Sequence, residues 1–396
     1  MLDEQAYSRA VSALTVPLLL AGFGLLILGG EALVRGGSGL GRALGLSPLV
    51  VGLTIVAFAT SAPELAVSVS AALSGAPGLA VGNVVGSNTT NVLLVLGVAA
   101  LVLPVAVQRS LVRTDVPVML ALSVLLLVLA ADGRVGRVEG LILIVALTGY
   151  LVRSLQRARA AGGAPEDSPD PRPRPLRQVG QVVLGVGVLV LGARLLVRSA
   201  TELAQAAGLS DLVIGLTVVA IGTSLPEVAT SVISALRGQR DLAVGNIVGS
   251  NIFNIGLVMG LTAVVAPAGV PVDPAAVRFD IPVMIAVALL LVPLVFTAMT
   301  VNRWEALLLL AYYGTYVGYL LLDATDHDAL PVFSRALVSF VVPITVVVLL
   351  AVTGSELSAR RRRSAVGGAI GGQAAPGAGG RRRDGDDSNG REGTDR

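Results

Sequence analysis

Residues 45–97 and 208–260 are one passage written twice. The first copy reads GLSPLVVGLTIVAFATSAPELAVSVSAALSGAPGLAVGNVVGSNTTNVLLVLG, and the second reads GLSDLVIGLTVVAIGTSLPEVATSVISALRGQRDLAVGNIVGSNIFNIGLVMG. They align without a gap and agree at about 33 of 53 positions, far beyond what shared apolar composition produces. Weaker echoes run past them: RTDVPVM at 113–119 returns as RFDIPVM at 278–284, and Arg35 has a counterpart in Arg198. The fold must therefore be built from two related halves.

The medium follows from composition. The chain is 54% apolar and 14% charged, whereas a soluble domain carries about 25% charged residues. Its apolar residues gather into stretches of about 20, long enough to cross a hydrocarbon core. That excludes a soluble globular enzyme. The lack of cysteine excludes disulfides, thiolate metal sites, iron–sulfur clusters and cysteine nucleophiles. Asp3 and Glu4 precede the first apolar run, so residues 13–30 read as a retained membrane helix and not as a signal peptide. Ten further spans are expected near 46–73, 77–105, 115–131, 138–155, 179–199, 209–236, 240–266, 280–300, 304–322 and 331–353. The expected fold class is an all-α polytopic membrane protein of about 11 helices.

The cations are all arginine and lie mostly in loops and in the tail, which suits a membrane surface better than nucleic acid. With the N-terminus outside, about 13 arginines, among them Arg109, Arg113, Arg153, Arg237 and Arg303, fall inside against roughly 7 outside. Arg360–Arg363 and Arg381–Arg383 join the inner set, while the acidic loop Asp323–Asp328 lands outside. The expectation is a multi-pass protein of the cell's inner (plasma) membrane with a cytoplasmic C-terminus.

Five parts are expected along the chain. Residues 1–155 form the first five-helix repeat, and 156–178, rich in proline and charge, form a cytoplasmic linker. Residues 179–322 form the second repeat, 323–354 an outside loop and one extra C-terminal transmembrane helix, and 355–396 a disordered Arg/Gly-rich cytoplasmic tail. The tail's arginine run suits a topology anchor, with binding to anionic lipid as the sharper alternative. Because five is odd, the second repeat enters the membrane from the opposite face. This is the inverted-topology architecture in which secondary transporters hold substrate at the midplane between broken helices.

Glu64 and Glu227 hold equivalent places deep inside apolar spans. A carboxylate at helix centre costs about 2.5–3.5 kcal/mol even on the lenient insertion scale, and neither motif helix carries a cation near its Glu. Thr60 and Ser61, like Thr223 and Ser224, lie four and three residues before the Glu and share its face. Pro63 and Pro226 lack an N–H and free the carbonyls of Ala59 and Gly222, which membrane depth tolerates only where protein or a wet cavity surrounds them. In the partner segments Asn83, Ser87 and Asn91 recur every four residues, as do Asn246, Ser250 and Asn254. Oxygen donors with no nitrogen or sulfur ligand suit calcium, and similar oxygens suit sodium. The only histidine, His327, falls in the acidic surface loop.

TSAPE with GNVVGSN, and TSLPE with GNIVGSN, resemble the paired alpha-repeats of the sodium/calcium exchanger family, within the cation/calcium exchanger superfamily. The resemblance covers about residues 13–322 and implies a prokaryotic-type antiporter that exchanges sodium for calcium by alternating access, with no enzyme activity and no cofactor. Carried onto matching positions, it implies ion-coordinating side chains at Ser61, Glu64, Ser87, Asn91, Ser224, Glu227, Ser250 and Asn254. Backbone carbonyls of Ala57, Thr60, Ala220 and Thr223 would complete the sites. The chain departs from the family in having Asn254 where some relatives carry Asp, Ala59 where a glycine is usual, an eleventh helix beyond the family's ten, and a linker too short for calcium-sensing domains. With three sodium ions per calcium, as the resemblance implies, a tenfold sodium gradient at about 1.4 kcal/mol per ion and 100 mV at about 2.3 kcal/mol per charge would supply roughly 6.5 kcal/mol. That favours calcium extrusion. Proton-coupled and potassium-dependent cation antiport stay open as alternatives. A passive channel fits an inverted repeat less well, and an intramembrane hydrolase lacks the His or Asp pair it needs.

Overall fold

Helices at membrane depth form because an apolar run in lipid must pair every backbone N–H and C=O within itself. The computed structural model describes residues 14–75, 77–160, 175–206, 220–325, 327–336 and 339. The expectations for residues 1–13, the linker's centre, the opening of the seventh span, most of the eleventh span and the tail fall outside these. The first repeat contains α1 (Thr15–Ala43), the bent pair α2 (Pro48–Thr60) and α3 (Ala62–Leu73), α4 (Pro77–Val102), α5 (Leu111–Leu129) and α6 (Arg137–Ala160). The second contains α7 (Pro175–Ala206), α8 (Ala220–Thr223), α9 (Leu225–Leu236), α10 (Arg240–Val265), α11 (Ile281–Ala298) and α12 (Arg303–Ala324), and α13 (Leu330–Ala336) follows. Among the described residues, seven single helices are long and apolar enough to cross a membrane, and the pair α2–α3, bent by 41°, makes an eighth span. The molecule is an all-α polytopic membrane protein.

The inversion of the repeats is visible in the packing of α1 against α7, the first helix of each half. They run antiparallel, and four glycines bring their backbones together. A Cβ on Gly22 would meet the carbonyl oxygen of Gly192 at 2.9 Å, and one on Gly185 would meet that of Gly29 at 2.9 Å. Gly22 and Gly185 are equivalent positions, as are Gly29 and Gly192, so exchanging the two halves leaves the contact unchanged. Small-residue packing of this kind holds helices together where lipid offers no hydrophobic drive.

Short strands close both ends of the bundle in the same symmetric way. β1 (Val105–Ala106) pairs antiparallel with β4 (Thr300–Val301), and β2 (Arg134–Val135) pairs with β3 (Val270–Pro271). Each sheet joins one strand from each repeat. Gly75 (φ 80°) and Gly238 (φ 74°) occupy equivalent tight turns before α4 and α10, where a side chain would be strained.

At the β1–β4 end, α2 lies against α10, so that Gly245 would place a Cβ 2.7 Å from the Leu49 carbonyl oxygen. There Leu242 is 0% exposed, whereas its first-repeat equivalent, Leu79, is 58% exposed at the β2–β3 end. Leu33, Val34, Val51, Val56 and Leu242 are buried in one apolar cluster at the closed end.

Candidate cation site between the repeats

Both Glu-bearing spans break beside the acid. Ser61 separates α2 from α3, and Ser224 separates α8 from α9. Pro63 and Pro226 lie in the first turn of the helix that follows, where the missing N–H costs nothing. Glu64 and Glu227 therefore sit in the first turns of α3 and α9. Each faces the positive end of a helix dipole. In the partner helices the turns beginning at Asn91 and at Asn254 are π-helical, a distortion common at functional positions.

The structure brings the side-chain candidates of the two repeats together. Glu64 and Glu227 are both 0% exposed. Thr60, one turn before Glu64, lies 3.2 Å from Asn246 Oδ1 and 3.2 Å from Ser250 Oγ. A consistent ordering has Ser250 donating to Thr60 and Thr60 donating to Asn246. Asn246 in turn donates to Ser231 Oγ at 3.1 Å, one turn beyond Glu227. In the first repeat Asn83 donates to Ser68 Oγ at 2.9 Å and to the Glu64 carbonyl at 3.1 Å. Asn83 and Asn246 thus brace the Glu-bearing helices by equivalent bonds.

The remaining amides cross between the repeats. Asn91 donates to Asn251 Oδ1, and Asn254 donates to Asn88 Oδ1, each at 3.1 Å. Asn88 and Asn251 are buried members of the two GSN triplets. They fall outside the four-residue stripe of Asn83, Ser87 and Asn91, and their identical placement in both copies is the signal the sequence carries for them. Ser68, Ser231, Thr230 and Ser234, beyond the Glu motifs, are buried as well.

These bonds leave a particular set of oxygens over. Among the described residues Ser61 Oγ, both oxygens of Glu64 and Asn91 Oδ1 are buried without a hydrogen-bond partner, and so are Ser224 Oγ, both oxygens of Glu227 and Asn254 Oδ1. Ionised carboxylates buried without a partner cost several kcal/mol each. Ser87 is buried beside them at 5% exposure. Of the backbone candidates, the Ala57 carbonyl already accepts from the Ser61 N–H at 3.0 Å and lies 3.4 Å from Thr60 Oγ1. Thr223 closes α8, which Ala220 opens.

The family model "Sodium/calcium exchanger protein" matches residues 14–156 and 177–322, one segment for each repeat. The chain belongs to the sodium/calcium exchanger family. Inner membrane protein YrbG of Escherichia coli is 39% identical over 70% of this chain and 87% of its own. Sodium/calcium exchanger MaX1 of Methanosarcina acetivorans is 32% identical over 76% of this chain and 96% of its own. Among solved structures, the sodium-calcium exchanger NCX_Mj superimposes with a TM-score of 0.67 at 31% identity, covering 78% of this chain and 99% of that one. This member of the family is accordingly a membrane transporter.

Proposed function

We propose that this exchanger carries calcium against sodium by alternating access. Its ions would be held by the side chains of Ser61, Glu64, Ser87, Asn91, Ser224, Glu227, Ser250 and Asn254, helped by the carbonyls of Ala57, Thr60, Ala220 and Thr223. The observation that carries the proposal is the pair of matching unpartnered oxygen sets around Glu64 and Glu227. Calcium takes six to eight oxygens, and two carboxylates neutralise its charge. Several sodium ions cannot share that charge with calcium at the same time, so the two compete, as antiport requires. The named specificities of MaX1 and NCX_Mj support the same pair of ions.

The arginine distribution favours a cytoplasmic β1–β4 end, and the name of inner membrane protein YrbG fits a bacterial inner-membrane setting. In this orientation the inner end is the closed one, and calcium extrusion is the working direction. Calcium uptake into proteoliposomes tests the proposal. It should require an outward sodium gradient and vanish in Glu64→Gln or Glu227→Gln protein. Uptake that follows a pH or potassium gradient and ignores sodium would overturn sodium coupling.

A further inference from the structure

The α9 face that carries Glu227 does not end there. Residues three, four and seven positions further on, Thr230, Ser231 and Ser234, lie on the same side of the helix, and all are 0% exposed. In the first repeat the equivalents of Thr230 and Ser234 are Val67 and Ala71. The two halves, otherwise so alike around their acids, differ here in chemistry.

Two of the three hydroxyls also lack the bond most helix hydroxyls make. Elsewhere in the bundle Thr54, Thr89, Ser123, Thr148, Thr315 and Thr325 each donate to the carbonyl four residues back, the ordinary resolution for a hydroxyl on a helix. Ser231 is taken by Asn246. Thr230 Oγ1 and Ser234 Oγ, like Ser199 Oγ and Thr262 Oγ1 elsewhere, are buried without any partner among the described residues. A buried hydroxyl left unbonded is destabilising, so a purely structural role would have favoured the valine and alanine of the first repeat.

The surroundings define where this line leads. Ala229 and Ile233, on the neighbouring face of α9, pack on Gly30 of α1, and the cluster of Val34, Val51, Val56 and Leu242 closes that end. Beyond Ser234 the exit is tied by an ion pair between Arg237 and Glu31 and by a 2.8 Å bond from Ser38 Oγ to Gln239 Oε1. The hydroxyls therefore lie between the carboxylates and the shut end of the bundle.

We propose that Thr230 and Ser234 form a one-sided transit subsite for sodium on the β1–β4 side of Glu227, occupied when that end opens. Neutral hydroxyls suit a monovalent, partly hydrated ion, whereas calcium demands carboxylate charge. The subsite eases sodium between the cytoplasm and the central acids without itself holding calcium. It rests on the exchange function proposed above and adds to it an asymmetry that the mirrored motifs lack.

The test substitutes the first-repeat residues, Thr230→Val with Ser234→Ala, in the full chain, and measures sodium-triggered release of loaded calcium from membrane vesicles of both orientations. In everted vesicles, where sodium meets the cytoplasmic face, half-saturation by sodium should rise about fivefold, the loss of about one hydrogen bond. In right-side-out vesicles it should not move, and Thr230→Ser with native Ser234 should behave as the native protein in both. The melting temperature of the double variant should be unchanged or higher. A native half-saturation on the cytoplasmic face, or an equal rise on both faces, overturns the subsite while leaving exchange intact. A native protein that releases no calcium to sodium overturns the exchange function itself, and the subsite with it.

Discussion

The Asn254 side chain donates its amide to Asn88 Oδ1 across the repeat boundary at 3.1 Å, and this bond leaves Asn254 Oδ1 unpartnered. Asn91 and Asn251 make the mirror bond. The GSN triplets thus tie the amide nitrogens and leave two amide oxygens free for the proposed ions.

Asn88→Ala should therefore weaken calcium binding without touching a proposed ligand. The loss of one neutral hydrogen bond, about 1 kcal/mol, corresponds to about fivefold in the dissociation constant measured by calorimetry. Combining it with Asn254→Ala should cost less than the sum of the two single changes, because both act on one oxygen.

Glu64→Gln and Glu227→Gln should each abolish calcium flux while the protein still folds. Replacing a buried, unpaired carboxylate by a neutral isostere relieves desolvation, so the ion-free melting temperature should hold or rise. Native protein at calcium 100 times its dissociation constant should gain about 2.7 kcal/mol of stability, and neither variant should show that gain.

Gly29→Ala should damage the bundle, and Gly24→Ala should not. A Cβ on Gly29 would stand 2.7 Å from the backbone nitrogen of Leu189, whereas one on Gly24 meets nothing within 4 Å. Forcing α1 from α7 should cost about 1–3 kcal/mol, read as a lower melting temperature with reduced flux.

The absence of cysteine makes the unequal ends directly measurable. With a membrane-impermeant maleimide, Leu79→Cys should label readily and Leu242→Cys should resist, given exposures of 58% and 0%. Adding Arg237→Ala, which removes the Glu31 ion pair, should raise the labelling rate of Leu242→Cys. Equal labelling of the two positions would contradict the closed β1–β4 end.

Much of this molecule is legible along the chain. The doubled passage, an odd number of spans per copy, and a lone carboxylate in each apolar run together determine an inverted repeat with two acids at depth. Those inferences need only periodicity, length and the cost of a charge in hydrocarbon. The oxygens that remain free were decided by the tertiary structure alone, because Thr60, Asn88, Asn91, Asn246, Ser250, Asn251 and Asn254 satisfy one another across 160 to 190 positions of sequence. The closed end belongs to the same category. Two nearly identical passages carry no sign of which will be packed shut, since that depends on how α1 and α2 rest on α9 and α10, a balance of contacts that one-dimensional pattern does not contain.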